Sequence, residues 1–368
     1  MANKFLTIKE VARQALPRLI ENLVFPNLIY KDFSDTFQKK GDEIQIRKPA
    51  KLEAKEFDAS SGVSAQDIDD SQTVTVKLDK IATVDVEISA LEGALNIDDL
   101  NRQFIEPAAV ALAQKINSDG LELYKDIPYV CGTAGTTPGD LTDLAAVRKV
   151  LNANRVPTSG RCAVWDTEAD AAFTTIPSIV NAEKSGSTQA LREGSIGRLF
   201  GLDNYMSQAV KRHEAGSLSA AVKPKSETSA GATSITLSAT AVTGSLKKGD
   251  ILTIAGKTYV VTADAAAASN EITVNIYPAL QDTVTTSTAV AVAESHTANL
   301  AFVPMAFAFV TRPLVVPSGV ECYTTSYNGV SLRVTKGYDM KYKKEMLSMD
   351  VLYAYKTIYP ELAVRAMG

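Results

Sequence analysis

Gly256-Lys257-Thr258 has the ending of a phosphate-binding loop, in which backbone amides cradle phosphates and the lysine reaches them. Six residues separate Gly249 from Gly256 where that loop has four, and the residues after Thr258 read as a strand where a helix is required. The triplet therefore predicts a turn between strands. His213 and His296 stand in no metal-ligand spacing and next to no evident nucleophile. They flank one Thr/Ala-rich stretch, which places both near its attachment. Cys131, Cys162 and Cys322 form no C-x-x-C pair, and Cys131 has no neighbouring histidine to activate it, so burial as small hydrophobes is expected. Asp67, Asp69 and Asp70 lack the glycine and the distal glutamate of a calcium loop. No catalytic residue, cofactor or metal ligand is expected, and the chain does not read as an enzyme.

Composition restricts the function classes in the same direction. The 368 residues carry 38 Lys+Arg against 42 Asp+Glu, a net charge of -4, and phosphate neutralisation by the whole chain would need a basic surplus. With 45% hydrophobic and 22% charged residues, the chain can bury a sizeable core and is not disordered. An odd count of 3 cysteines suits a reducing compartment better than a disulfide framework. Lys4, Lys9, Glu10, Arg13 and Arg18 interrupt any signal-peptide core, and Pro304 interrupts the apolar run over residues 300–310, so a soluble protein made in the cytosol is expected, with no membrane segment.

The elements that would position chemistry are of an extended kind. Ile8, Val11, Ala15, Leu19 and Leu23 recur at near-helical spacing, with Pro17 and Pro26 as breaks, which predicts an arm with a short helix rather than a core element. Residues 43–47 and 73–78 alternate with period two and predict strands, with another over 84–88. Between them lies a polar connection about twenty residues long, with Ser60-Ser61-Gly62 near its tip. The strands read as a protruding hairpin whose apolar residues, Ile44, Ile46, Val74 and Val76, need cover, and a second copy of the chain is the economical source. Lys39, Lys40, Arg47, Lys48, Lys51 and Lys55 make its stem basic, and Asp67, Asp69 and Asp70 make its tip acidic. That opposition suits electrostatic matching between subunits; an ordinary solvated surface is the alternative.

Leu100, Phe104, Ala108, Leu112, Ile116 and Leu123 predict a short helix, a break, and a long helix from about Pro107. A second helix is expected over residues 140–155, a strand over 161–165 and a third helix capped by Asp166, giving a mixed α/β texture. Residues 225–294 turn rich in Thr, Ala and Ser, with four short alternating strands, and read as a small all-β barrel or sandwich inserted in a host. A buried strand over 301–310 with a proline-bounded continuation, then a strand placing Leu347, Met349, Val351, Tyr353 and Tyr355 on one face, rejoin the body.

Several stretches resemble a known family. Asn22-Leu23-Val24-Phe25 and Lys39-Lys40-Gly41-Asp42-Glu43-Ile44-Gln45-Ile46-Arg47-Lys48-Pro49 resemble the N-terminal arm and extended loop of tailed-bacteriophage major capsid proteins. Gly194-Ser195-Ile196-Gly197-Arg198-Leu199-Phe200-Gly201-Leu202-Asp203-Asn204-Tyr205 and Tyr359-Pro360-Glu361-Leu362-Ala363-Val364-Arg365 are similar to further stretches of that family. Gly249-Asp250-Ile251-Leu252-Thr253-Ile254-Ala255-Gly256 resembles the start of the β-barrel insertion of podophage coat proteins.

The resemblance implies an α+β chain with the Hong Kong phage type of major capsid fold. It implies an N-terminal arm over residues 1–35, an extended loop over 36–90, a peripheral domain over 91–129 and 331–368 with a spine helix, an axial domain over 130–221 and 297–330, and an inserted β-barrel-like domain over 222–296. It further implies pentamers and hexamers closing an icosahedral shell around double-stranded DNA, assembled in the host bacterial cytoplasm as a procapsid that expands, and a final place in the virion. Scaffolding protein, portal protein and weakly contacted DNA would be the partners. No charged helical prodomain is visible, which implies a separate scaffold, and no Lys–Asn crosslink pair is identifiable. An encapsulin-like compartment shell of the same fold is the alternative; a hydrolase with a carbohydrate-binding β insertion lacks any acid/base pair.

Overall fold

Ile8, Val11, Ala12, Ala15, Leu16 and Leu19 lie on one stripe, and that stripe folds as helix α1 (Ile8–Asn22) with all six side chains buried. The computed structural model describes residues 8–31, 43–47, 73–88, 105–186, 189–218, 221–339 and 344–368. Two expectations for the N-terminus are corrected. Pro17 lies inside α1 without ending it, because Leu16 and Leu19 on either side are held in the core. The helix is a core element, packed in the same apolar cluster as the long helix and the C-terminal strands.

After Asn22 the chain turns into the single-turn helix α2 (Phe25–Leu28), and the turn is fixed by Asn117 of helix α3 (Glu106–Leu121). The Asn117 Oδ1 accepts from the Val24 and Phe25 amides at 3.1 and 3.3 Å, and its Nδ2 donates to the Asn22 carbonyl at 2.9 Å. As the spacing predicts, α3 starts around Pro107, where the missing N–H is harmless, and turns Ala108, Ala109, Leu112, Ala113 and Ile116 inward. It ends in a 3-10 turn over Glu122–Asp126. Leu100 and Phe104, expected in a preceding short helix, lie outside the described residues.

Against α1 and α3 packs a five-stranded sheet ordered β18 (Phe307–Arg312), β21 (Lys344–Thr357), β20 (Val330–Asp339), β19 (Glu321–Tyr327), with β3 (Lys80–Ile88) also paired to β21. Leu347, Met349, Val351 and Tyr353 share the face of β21 that enters this core, as alternation predicts. The expected strand over 301–310 is two strands in two sheets. β17 (His296–Phe302) ends at Val303, and a 3-10 turn at Pro304–Ala306 redirects the chain into β18. Apolarity alone could not show that break, because both pieces are buried on both faces.

A second sheet of seven strands runs β4 (Val130–Cys131), β22 (Ala363–Met367), β17, β5 (Arg161–Trp165), β7 (Leu202–Met206), β6 (Arg198–Leu199), with β8 (Arg212–His213) paired to β17. Helices α4 (Leu141–Ala153) and α5 (Thr167–Thr174) cover one face of it. Asp140 and Asp143 form a capping box on α4, and Asp166 caps α5, where sequence reading put their starts. The parallel pairs β5–β7 and β4–β22 give the mixed texture expected of this region.

Residues 223–292 supply a third sheet with its own apolar cluster, ordered β16 (Val290–Val292), β12 (Ile251–Ile254), β13 (Lys257–Val261), β15 (Glu271–Tyr277), β10 (Ser234–Ser238), β9 (Lys223–Pro224). A short ladder pairs β11 (Ser245–Leu246) with β14 (Ala265–Ala266) in the same region. A bridge from Val222 to Val290 brings the two outer strands of the sheet together, so it closes on itself. The chain leaves the seven-stranded sheet at β8 and re-enters it at β17, with His213 opposite His296.

A close approach in the core is at Gly120 of α3. A Cβ there would sit 2.6 Å from the Phe25 ring and 2.9 Å from the Tyr355 ring. Phe25 in turn stacks edge-on against Phe302, with centroids 5.4 Å apart, and contacts Phe307 at 5.6 Å. Gly120→Ala is therefore expected to destabilise the chain by about 1–3 kcal/mol through overpacking, although alanine is the better helix former. Urea unfolding checks this; an unchanged or raised midpoint would show that the rings yield freely.

Candidate assembly surface and its anchoring residues

The hairpin expected to reach a neighbouring subunit begins with β1 (Glu43–Arg47) paired antiparallel to β2 (Thr73–Lys77). Ile44 stands opposite Val76, Ile46 opposite Val74, and Arg47 opposite Thr73, the register that alternation requires. Lys39, Lys40, Lys48, Lys51, Lys55, the Ser60-Ser61-Gly62 tip and the Asp67, Asp69, Asp70 triplet lie outside the described residues. Val74 is half-buried.

Two parts of the expectation are corrected. Val76 retains 1% of its surface and Leu78 none, because both pack against Val310, Leu352 and Ala354 where β18 and β21 meet. That apolar position finds its cover within its own chain. Likewise β3 does not project: it pairs with β21 from Lys80 opposite Tyr353 to Ile88 opposite Glu345, as a full member of the five-stranded sheet.

The base of the hairpin is anchored by a residue that sequence reading did not single out. Asp119 on α3 is buried and accepts from the Tyr353 hydroxyl at 2.8 Å and from Lys115 Nζ at 2.9 Å, with Lys80 Nζ at 3.5 Å. One carboxylate thus joins α3, β21 and the first residue of β3. Burial pushes its pKa up, but the hydrogen bonds from Lys115 and Tyr353 and the charges of Lys80 and Lys115 outweigh burial and hold it below the ordinary carboxylate value. Burial and Asp119 push the Tyr353 hydroxyl up, so it stays a donor. The one sequence signal was the Lys115/Asp119 spacing of four on a helix.

The groups that could do chemistry come together differently from a reactive site. His213 Nε2 lies 2.8 Å from Asp250 Oδ1 and its Nδ1 lies 3.1 Å from the Tyr124 hydroxyl. This has the form of a proton relay, but Tyr124 takes the nucleophile's place and all three side chains are buried. Arg365 lies over the Tyr124 ring, its guanidinium carbon 4.5 Å from the centroid, and donates to the Gly249 carbonyl at 2.8 Å. Beside them a cleft of about 740 Å³ is lined by five cations that already have partners. Lys211 and Lys125 meet Glu122, Arg212 meets Glu214, Lys247 donates to the Glu214 carbonyl, and Lys248 meets Asp126.

The remaining candidates are structural as well. Burial pushes the Cys131 thiol up to about 12 and the Cys162 thiol up to about 11, which leaves them protonated and unreactive at neutral pH. Ala255-Gly256 forms the tight turn between β12 and β13 with φ 51 and 77°, and Lys257 pairs with Asp282 at 2.7 Å. Gly256-Lys257-Thr258 is therefore part of a hairpin. Among the described residues there is no cluster of His, Cys, Asp or Glu that could hold a metal ion, and no helix is long and apolar enough to cross a membrane.

Comparison with known proteins meets this architecture at the level of fold. No protein-family model and no curated sequence matches the chain. A solved structure from Mycobacterium phage Che8 superposes with a TM-score of 0.55 at 16% identity, covering 94% of this chain and 90% of the other. The chain shares its fold with that phage structure. The capsid structure of cyanophage P-SCSP1u (TM-score 0.49, 13% identity, 94% and 88% of the two chains) and the capsid of an empty GTA particle (0.49, 8%, 94% and 90%) are also similar. The agreement is one of fold, with mixed helix and sheet.

Because the Asp119 pKa is depressed in the folded chain, the stability it contributes is present above the unfolded value of 3.8 and is lost as pH falls through the folded value. Asp119→Asn should lower stability at pH 7 by about 1–3 kcal/mol, the range for breaking a buried charged hydrogen bond. Denaturant midpoints of the two proteins should converge as pH drops below 3.8. A constant difference at every pH would refute the anchoring role of the charge.

Proposed function

We propose that this protein is the major capsid protein of a tailed bacteriophage. It self-assembles into pentamers and hexamers of an icosahedral shell that encloses double-stranded DNA, by way of a scaffold-directed procapsid that matures by expansion. The observation that carries this reading is agreement of fold over 94% of the chain with a structure from Mycobacterium phage Che8, together with the resemblances in its sequence.

The parts take roles accordingly. Residues 36–79 serve as extended loop, α1 and α3 with the five-stranded sheet of β3, β18, β19, β20 and β21 form the peripheral domain, and the seven-stranded sheet with α4 and α5 forms the axial domain, so the expected bounds shift to put β18 and β19 in the first and β22 in the second. Residues 222–296 form an inserted barrel, a reading supported by the closed sheet and its separate apolar cluster. On the loop, Lys39, Lys40, Arg47 and Lys48, with Ile44, Ile46 and Val74, contact a neighbouring subunit, and Asp67, Asp69 and Asp70 meet its basic surface. Apolar burial at about 25 cal/mol per Å², repeated around closed rings, turns modest contacts into a stable shell. The portal protein and packaged DNA are further partners, the DNA held weakly because the wall carries a net charge of -4.

Electron microscopy of the protein produced with its scaffolding protein should show rings or closed shells; a monomer under all such conditions would overturn the reading. Shells filled with protein cargo in place of DNA in the native host would indicate a compartment instead. Deletion of residues 60–70 should leave the stability of the monomer within about 0.5 kcal/mol of the parent yet abolish shells. Unfolding of the deleted monomer would contradict that division of roles.

A further inference from the structure

Among the described residues, the buried side-chain hydrogen bonds between the body and the 223–292 region converge on one turn. Asp250, with 1% of its surface exposed, accepts from His213 Nε2 at 2.8 Å, from the Lys247 amide at 2.7 Å, and from the Gly216 amide at 3.1 Å. The preceding carbonyl, of Gly249, receives the Arg365 guanidinium at 2.8 Å. Because the Asp250 carboxylate only accepts, His213 donates through Nε2, and its Nδ1 lies 3.1 Å from the Tyr124 hydroxyl. Behind His213, with ring centroids 5.6 Å apart, lies His296 on the returning strand. His296 Nδ1 donates to the Glu294 carbonyl at 2.6 Å, and its Nε2 is buried with no partner.

We propose that this cluster is an acid-released latch: the Gly249-Asp250 turn is the catch that holds the closed sheet to the body, and protonation of His296 opens it. The groups facing His296 are Arg365 from β22, His213 from β8, Asp250 from the turn before β12, and the Glu294 carbonyl just before its own strand. A proton on Nε2 adds a cation beside the Arg365 guanidinium, whose own Nε and Nη2 already lack acceptors. Asp250, the carboxylate that acts on His296 among the described residues, is committed to His213 and to two amides. Relief requires water, which enters only if the turn lifts away.

Linkage sets the direction. Burial, then the Arg365 charge, hold the His296 pKa down at about 4 in the closed form, against 6.5 when it meets water. The open form binds more protons between these values, so falling pH favours opening, and the effect fades within about one pH unit above 6.5. Between pH 7.5 and 5 the open fraction should rise about thirtyfold. The latch is a property of the single chain and does not rest on the capsid reading.

Hydrogen exchange read by mass spectrometry on the full chain, at pH 7.5, 6 and 5 and corrected for intrinsic rates, tests it. Peptides containing the Gly216 and Lys247 amides should lose protection as pH falls, while those from β12, β13 and β15 keep theirs. His296→Asn retains a donor toward the Glu294 carbonyl but cannot take up the proton, and should make the exchange of these amides independent of pH; His296→Gln serves as a second neutral variant. Constant protection of both amides in the unsubstituted chain would overturn the latch. So would uniform loss across all peptides, or an undiminished pH response in a folded neutral variant.

Discussion

Phe25 seated on the bare backbone of Gly120 is the contact on which the arrangement of the body depends. The ring comes so close to α3 that no side chain fits between them, and it simultaneously meets Phe302, Phe307 and Tyr355. Those partners stand on strands of two different sheets. One aromatic group thus sets the distance from the N-terminal segment to the long helix and from the long helix to both sheets. Asn117, one turn earlier on α3, fixes the chain direction on either side of Phe25 by satisfying three backbone groups, so that ring placement and backbone path reinforce each other.

Around that contact, charge is used to fasten elements in place. Asp119 gathers a helix and two strands, and Arg333 meets Asp350 across β20 and β21 in the same sheet. Each of these carboxylates is nearly dry, which is why its bonds matter more than those of the exposed Arg18–Glu21 pair. The result is a firm platform of sheet and helix, against which Val76 and Leu78 at the foot of the hairpin also pack.

Much of this platform was legible in the chain because its signals are local. The helix starts at Pro107, Asp140 and Asp166, the period-two strands and the composition change near residue 222 all arise from near-neighbour chemistry. The Asn328-Gly329 turn, with φ 51 and 71°, has the usual sequence for its conformation, whereas Phe200-Gly201 adopts φ 51 and 81° with a residue that does not announce it. What escaped were the long-range facts. The separation of β17 from β18 depends on which sheet each joins. The burial of α1 depends on strands at the far end of the chain, such as β20 and β21. Cover for Val76 comes from β18 and β21, and no periodicity in residues 73–78 can say who supplies it. His213 and His296 were placed near one attachment point by sequence, but their meeting with Arg365 required the fold.

The pairing of His213 with His296 has a topological corollary. The two ends of the intervening excursion are a single ladder rung apart, about 5 Å between Cα atoms. What lies between them adds no strand to the seven-stranded sheet, although its Gly249-Asp250 turn supplies acceptors to Arg365 on β22 and His213 on β8. A foreign polypeptide whose own termini lie side by side could replace the excursion with the strand order intact, provided that it offered Arg365 and His213 the acceptors that Gly249 and Asp250 supply.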